Sequence, residues 1–147
     1  LRYLETITNP TDHAIAANVL ISGKLPSNYG TIEKTSSGDA NLDAADRYLV
    51  LRDNTALFQH LGLVFSGTAG TPPKTFIDVS DLGDSRFAYR WTLQLAPGQT
   101  VRLLHFIVPS HLDATAIAPL LDSLQFLTHP LALQGITAEE RATIVNF

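Results

Sequence analysis

Asp39, Asn41 and Asp43 set side-chain oxygens at the D-x-N-x-D spacing with which many calcium loops begin, and Asp46 adds a carboxylate three residues on. Ca²⁺ is a hard cation that favours oxygen ligands of this kind. Ala44 stands where an EF-hand needs glycine for its sharp turn, and Val50 stands where it needs a bidentate glutamate, so the segment is no EF-hand. The plainer reading is a solvated interstrand loop, Ser36 to Asp46, whose short polar side chains hydrogen-bond its own turns. Calcium, held by Asp39, Asn41, Asp43 and Asp46, is the one cofactor these residues suggest. A second acidic group, Asp78, Asp81 and Asp84, is less specific and reads as a turn leading into the next strand.

Five histidines, at positions 13, 60, 105, 111 and 129, show no H-E-x-x-H pattern and no pair on one helical face. His105 alternates with apolar residues, so it is expected to be a hydrogen-bonded core or sheet-face residue before it is a ligand or a base. Ser, His and Asp are all present, but G-x-S-x-G is not, and the absence of cysteine removes thiol catalysis, thiolate metal sites and disulfides. Ser66-Gly67-Thr68-Ala69-Gly70 lacks the Lys-Ser/Thr that closes a phosphate loop, and is read as a flexible hairpin loop. No catalytic residue is assigned.

Phe87, Tyr89 and Trp91 are the candidates for a sugar-binding platform. They share parity with Leu93 and Leu95, which makes the interior of a sandwich the simpler place for them. Arg86, Arg90 and Arg102 are expected on the opposite face of the same hairpin. Three arginines in a chain of net charge -4 make no nucleic-acid surface.

These residues need elements to position them. Arg86 to Leu95 alternates large apolar with polar or small residues, the period of a half-buried strand, and Ala14 to Ser22 does so through Ile15, Ala17, Val19 and Ile21. Further strands are expected at Arg2–Thr8, Thr31–Thr35, Arg47–Arg52, His60–Ser66, Lys74–Val79 and Thr100–Val108, each bounded by Gly, Pro, Asn, Asp or Ser. Asn9-Pro10-Thr11-Asp12 separates the first two. Pro97-Gly98 suits the centre of a type II turn, and a hairpin is expected across it. The strand after that turn is apolar on both faces, so its second face requires a cover.

The cover is expected from Leu112 to Leu127, where Ile117, Leu120, Leu121, Leu124 and Leu127 form a helical stripe. Pro119 predicts a kink there, or two pieces with the longer starting near Ala118. A second helix begins at the capping box of Thr137 and Glu140. The fold class that follows is mainly β: an antiparallel β-sandwich of about eight strands with one or two C-terminal α-helices packed on it. It is expected as a single domain over 1–147, with the sandwich in 1–108 and the helical cover in 109–147.

With 147 residues the chain suits one core. It is 45% hydrophobic and 16% charged, and no apolar run reaches the roughly 18 residues of a membrane helix, so disorder and membrane insertion are both disfavoured. It has no methionine and starts at a strand, and is expected to be processed or cut from a longer protein. Phe147 ends an apolar segment that either tucks onto the core or leads into a next domain.

Ser36-Ser37-Gly38-Asp39, Ala96-Pro97-Gly98-Gln99-Thr100 with Leu103-Leu104-His105-Phe106, and Leu133 to Arg141 with Ile144-Val145-Asn146-Phe147 together carry a resemblance. The chain resembles accessory β-rich modules of long secreted or surface bacterial proteins with Ig-like or carboxypeptidase-regulatory-like repeats. The resemblance implies location and architecture, and no catalytic residue. The leading expectation is a non-catalytic extracellular structural or adhesion module of a larger bacterial surface or secreted protein. Its partners would be neighbouring domains or other proteins. The alternatives are a carbohydrate-binding module, calcium-assisted or not, and a hydrolytic domain using His105 with a nearby carboxylate.

Overall fold

The computed structural model describes residues 1–24, 29–53, 59–70, 75–78 and 86–147. Among them lie strands β1 (Arg2–Thr8), β2 (Ile15–Lys24), β3 (Tyr29–Thr35), β4 (Tyr48–Asp53), β5 (His60–Val64), β6 (Thr75–Asp78), β7 (Arg86–Leu95) and β8 (Thr100–Ser110), then helices α1 (Ala114–Gln125) and α2 (Ala138–Ala142). Each expected strand is present, and Arg86–Leu95 matches at both ends. Lys74, Val79, and the acidic group at Asp81 and Asp84 lie outside the described residues.

A five-stranded sheet, β1-β8-β5-β4-β3, faces a three-stranded one, β2-β7-β6, and all pairings are antiparallel. Between the sheets, Leu49, Leu51, Leu63, Phe65 and Leu103 meet Phe87, Tyr89 and Trp91. The three rings are therefore core and not a sugar platform. On the other side of the larger sheet, Tyr48, Val50, Val64, Leu104 and Phe106 pack under Ile117, Leu121 and Leu124 of α1. This is the cover that the two-sided apolar character of β8 requires. Gly62 makes it possible on β5, since a Cβ there would stand 2.6 Å from the buried Leu121 side chain.

Local turn chemistry and sheet membership part company at Pro97-Gly98. Gln99 N–H donates to Ala96 C=O at 3.0 Å and Gly98 has φ +68°, as a type II turn demands. Yet β7 belongs to the smaller sheet and β8 to the larger, so the turn is a corner between sheets and not the expected hairpin. Arg90 and Arg102 consequently share no face. Arg90 is exposed on the smaller sheet, whereas Arg102 reaches the Thr143 hydroxyl at 2.6 Å. The connection β1 to β2 is a second such corner beside the first, because β1 pairs β8 and β2 pairs β7.

Asn9 fastens both corners. It is fully buried, and its side-chain amide donates to the carbonyls of His13 (2.8 Å), Leu95 (3.1 Å) and Ala96 (2.9 Å). Its Oδ1 accepts from the Thr11 N–H and hydroxyl, and its backbone bonds Gln99 C=O and Gly98 N–H.

Of the two outcomes expected at Pro119, division of the helix does not occur: α1 runs as one element through it. The carbonyl that loses its partner is that of Thr115, and both residues are on the exposed face, where water takes the bond. The opposite face buries Ile117, Ala118, Leu121 and Leu124, and Asp113 caps the start by accepting from Ala116 N–H at 2.8 Å. Leu127, at φ +54°, takes the left-handed position of a Schellman turn usually given to glycine, with Thr128 N–H bonded to Ser123 C=O and Leu127 N–H to Leu124 C=O. The capping box of α2 forms as expected from Thr137 and Glu140.

The last residues extend the larger sheet. Arg102 N–H donates to Thr143 C=O, and Val145 N–H to Arg102 C=O, in a parallel bridge beside β8. There the tail occupies the place that β5 vacates after Val64, and Phe147 packs edge-on against Phe106 with ring centres 5.8 Å apart. Ser66 and Gly67 lie under it. Both are buried, and Gly67 N–H donates to Asn146 C=O at 2.7 Å. This end of the loop is anchored, not the flexible hairpin expected, because it leaves the larger sheet for the smaller one beneath the C-terminal segment.

Candidate functional site

Glu5 and His105 meet at the floor of a cavity of about 510 Å³ between the two sheets. Strand pairing brings them there. In the β1–β8 register Tyr3 stands opposite His105 and Glu5 opposite Leu103, so Tyr3 and Glu5 both reach the imidazole, one directly and one diagonally. The Tyr3 and His105 rings stack at 5.1 Å and 10°, while Tyr89 meets the same imidazole edge-on at 5.9 Å.

The opposite wall comes from β2 and β7. Ile21 and Gly23 alternate inward from β2, and Gly23 pairs with Phe87. A Cβ at Gly23 would lie 2.6 Å from the Phe87 ring, so the glycine leaves that ring its place in the wall. Leu61, Ile107 and Tyr29 complete the apolar lining. Tyr3, 41% exposed, and the exposed Lys24 stand at a mouth open to solvent between β1 and β2, the edge strands on one side of the two sheets.

The polar floor is incompletely satisfied. Glu5 Oε2 and His105 Nδ1 are 3.1 Å apart, but the approach lacks hydrogen-bond alignment, and neither atom has a hydrogen-bond partner. His105 is only 3% exposed. Burial pulls its pKa down from 6.5 to about 4, leaving the imidazole neutral at physiological pH. The Glu5 carboxyl is raised by the same loss of water, with a backbone hydrogen bond opposing the shift. Tyr89 is raised too, mainly by burial and then by the charge of Glu5.

A measurable pH dependence follows. The unfolded chain protonates His105 near 6.5 and the fold does so only near 4, so its contribution to stability is complete above 6.5 and is lost as the pH falls toward 4. Glu5 works the other way, since the fold takes up its proton first as the pH falls. Between about pH 7 and about pH 5, urea unfolding should therefore show wild type losing about 1–2 kcal/mol more than His105→Gln. Equal losses would show that the imidazole accepts a proton inside the fold as readily as outside.

The acidic loop is differently made. Asp46 is buried, taking the Ser36 hydroxyl and Ser37 N–H on Oδ1 and the Asp43 N–H on Oδ2. Asp43 accepts from Ala45 N–H at 2.7 Å. Asp39 accepts from Asn41 N–H at 2.9 Å and from the Thr35 and Ser37 hydroxyls, bonds that hold its carboxyl below the usual range. Asn41 is exposed. A cation bound by these four residues would compete with those donors, and among the described residues no three His, Asp or Glu side chains converge as a metal-ligand group.

The remaining histidines are dispersed. His60 Nε2 meets Glu33 at 2.7 Å, with Arg52 on the other carboxylate oxygen at 3.3 Å. His13 lies exposed beside Asp12, and His129 accepts from Leu131 N–H at 3.2 Å. Of the residues singled out from sequence, His105 alone lines the cavity between the sheets with an ionisable partner, and it faces away from the C-terminal helix. Glu5 was passed over. Its signal lay in parity, because a carboxylate shares the inward face of β1 with Tyr3 and Ile7. Set against known families, curated proteins and solved structures, the chain matches none.

Proposed function

We propose that the domain is a non-catalytic accessory module of a larger secreted or surface bacterial protein, and that its contribution is to bind a small, largely apolar molecule between its sheets. The observation that carries this reading is the Glu5–His105 floor of an otherwise apolar cavity. Its volume falls in the range of about 300–1,000 Å³ typical of ligand sites. A module serving only as a spacer gains nothing from an inward carboxylate and imidazole, whose withdrawal from water costs free energy that one poorly aligned contact does not return.

Binding fits the groups better than hydrolysis does. An imidazole whose pKa is about 4 is a weak general base at neutral pH. Ser22, the serine of the lining, sits on the exposed parity of β2, away from the floor. A carbohydrate reading, for its part, has lost the ring platform that recommended it.

Indole is a suitable neutral probe. Titrated into isotopically labelled protein, it should produce saturable NMR shifts at Tyr3, Glu5, Ile21, Phe87 and His105, and Ile21→Trp, which fills the space, should abolish them. Shifts that never saturate, or that persist unchanged in Ile21→Trp, would remove the cavity as the binding site.

A further inference from the structure

Glu5 is the carboxylate of the cavity lining, and its side chain is about a third exposed. Its Oε2 stands 3.1 Å from His105 Nδ1, and both of those atoms are closed to solvent, so the rest of the carboxylate is what a guest in the cavity would meet. A guest carrying several N–H donors suits an acceptor-only group of this kind.

The surroundings favour a positively charged donor. Glu5 supplies the carboxylate, and the Tyr3, Tyr29 and Phe87 rings line the same space, where aromatic faces attract a cation by about 0.5–2 kcal/mol. Lys24 opposes this, but it is exposed at the mouth, where solvent screens it. Beyond the floor the walls are apolar.

Resting on the binding-module reading above, we propose that the cavity takes an organic amine, whose ammonium group pairs with the Glu5 carboxylate and whose apolar body lies against Ile21, Phe87 and Ile107. A carboxylate ligand would meet Glu5 with like charge. An alcohol offers a donor without the charge.

Tryptamine and tryptophol share one indole-ethyl body and differ in bearing an ammonium or a hydroxyl, so titrating both by calorimetry isolates the charge. Wild type should bind tryptamine at least about tenfold more tightly, the equivalent of one charge-assisted hydrogen bond. Glu5→Gln should reduce that preference to about twofold or less, since glutamine keeps the shape and loses the charge. Equal or tighter binding of tryptophol to wild type overturns the amine assignment and leaves the cavity as the site. A preference that survives in Glu5→Gln also overturns it. If neither compound nor indole binds, the binding-module reading itself falls. The wild-type comparison needs no substituted protein, so a variant that failed to fold would not spare the proposal.

Discussion

Asn146→Ala is expected to destabilise the domain by about 3–5 kcal/mol, more than a typical surface substitution by an order of magnitude. The side chain is fully buried and does the work of a strand. Its amide donates to Phe65 C=O at 2.8 Å and to Leu104 C=O at 2.6 Å, while its Oδ1 accepts from Leu104 N–H at 2.9 Å. Alanine leaves both backbone groups of Leu104 and the carbonyl of Phe65 without partners, in a place closed to water by Phe147 and α1. Asn146→Asp should do no better, because a carboxylate would turn an acceptor toward two carbonyls. Urea unfolding monitored through Trp91 fluorescence reads the effect. A loss below about 1 kcal/mol would mean that water reaches Leu104 and replaces the side chain.

Asn9→Ala comes next, with an expected cost of about 2–4 kcal/mol and, for a chain of this length, a Tm lower by roughly 5–15 °C. Three carbonyls lose their donor, and the Thr11 N–H and hydroxyl lose their acceptor. The figure is lower than for Asn146 because His13 and Thr11 stand near solvent, and Ala96 C=O still accepts from Gln99 N–H. Asn9→Asp separates the two halves of the side chain. It retains the acceptor for Thr11 and removes all three donations, so it should cost nearly as much as alanine. A calorimetric Tm for Asn9→Asp within about 2 °C of wild type would locate the fastening in the Thr11 turn instead of the carbonyls.

Strand positions were legible because half-burial writes a period of two into β2 and β7, and because turn-forming residues bound every strand. Sheet membership was not. The bonds of a type II turn at Pro97-Gly98 are the same whether the chain returns along its neighbour or crosses to the other sheet, so a local signal promised a hairpin where a corner stands. The helix was legible as a stripe, but the effect of Pro119 depended on which face it occupies, and Thr115 turns the freed carbonyl to water. Asn9 and Asn146 look like ordinary loop and tail residues in sequence. Their partners lie at carbonyls up to 87 residues away, which no local pattern encodes. The candidate site shows the same division. His105 was noticed as a polar residue on an apolar face, while the gap before it depends on how far apart two edge strands from different sheets are held.

The adjoining corners make strands β1 and β2, with β7 and β8, one long two-stranded ribbon folded over on itself. Along one arm Thr8 pairs Thr100, along the other Ile15 pairs Leu95, and Asn9 sits at the crease. Tyr3 and Glu5 lie toward the free end of the first arm, and Ile21 and Gly23 toward the free end of the second. The two walls of the cavity are thus carried by one continuous ribbon, joined at the crease and separate at the mouth. Asn9, by bonding both strands of the ribbon where it folds, fixes the angle at which the two walls diverge.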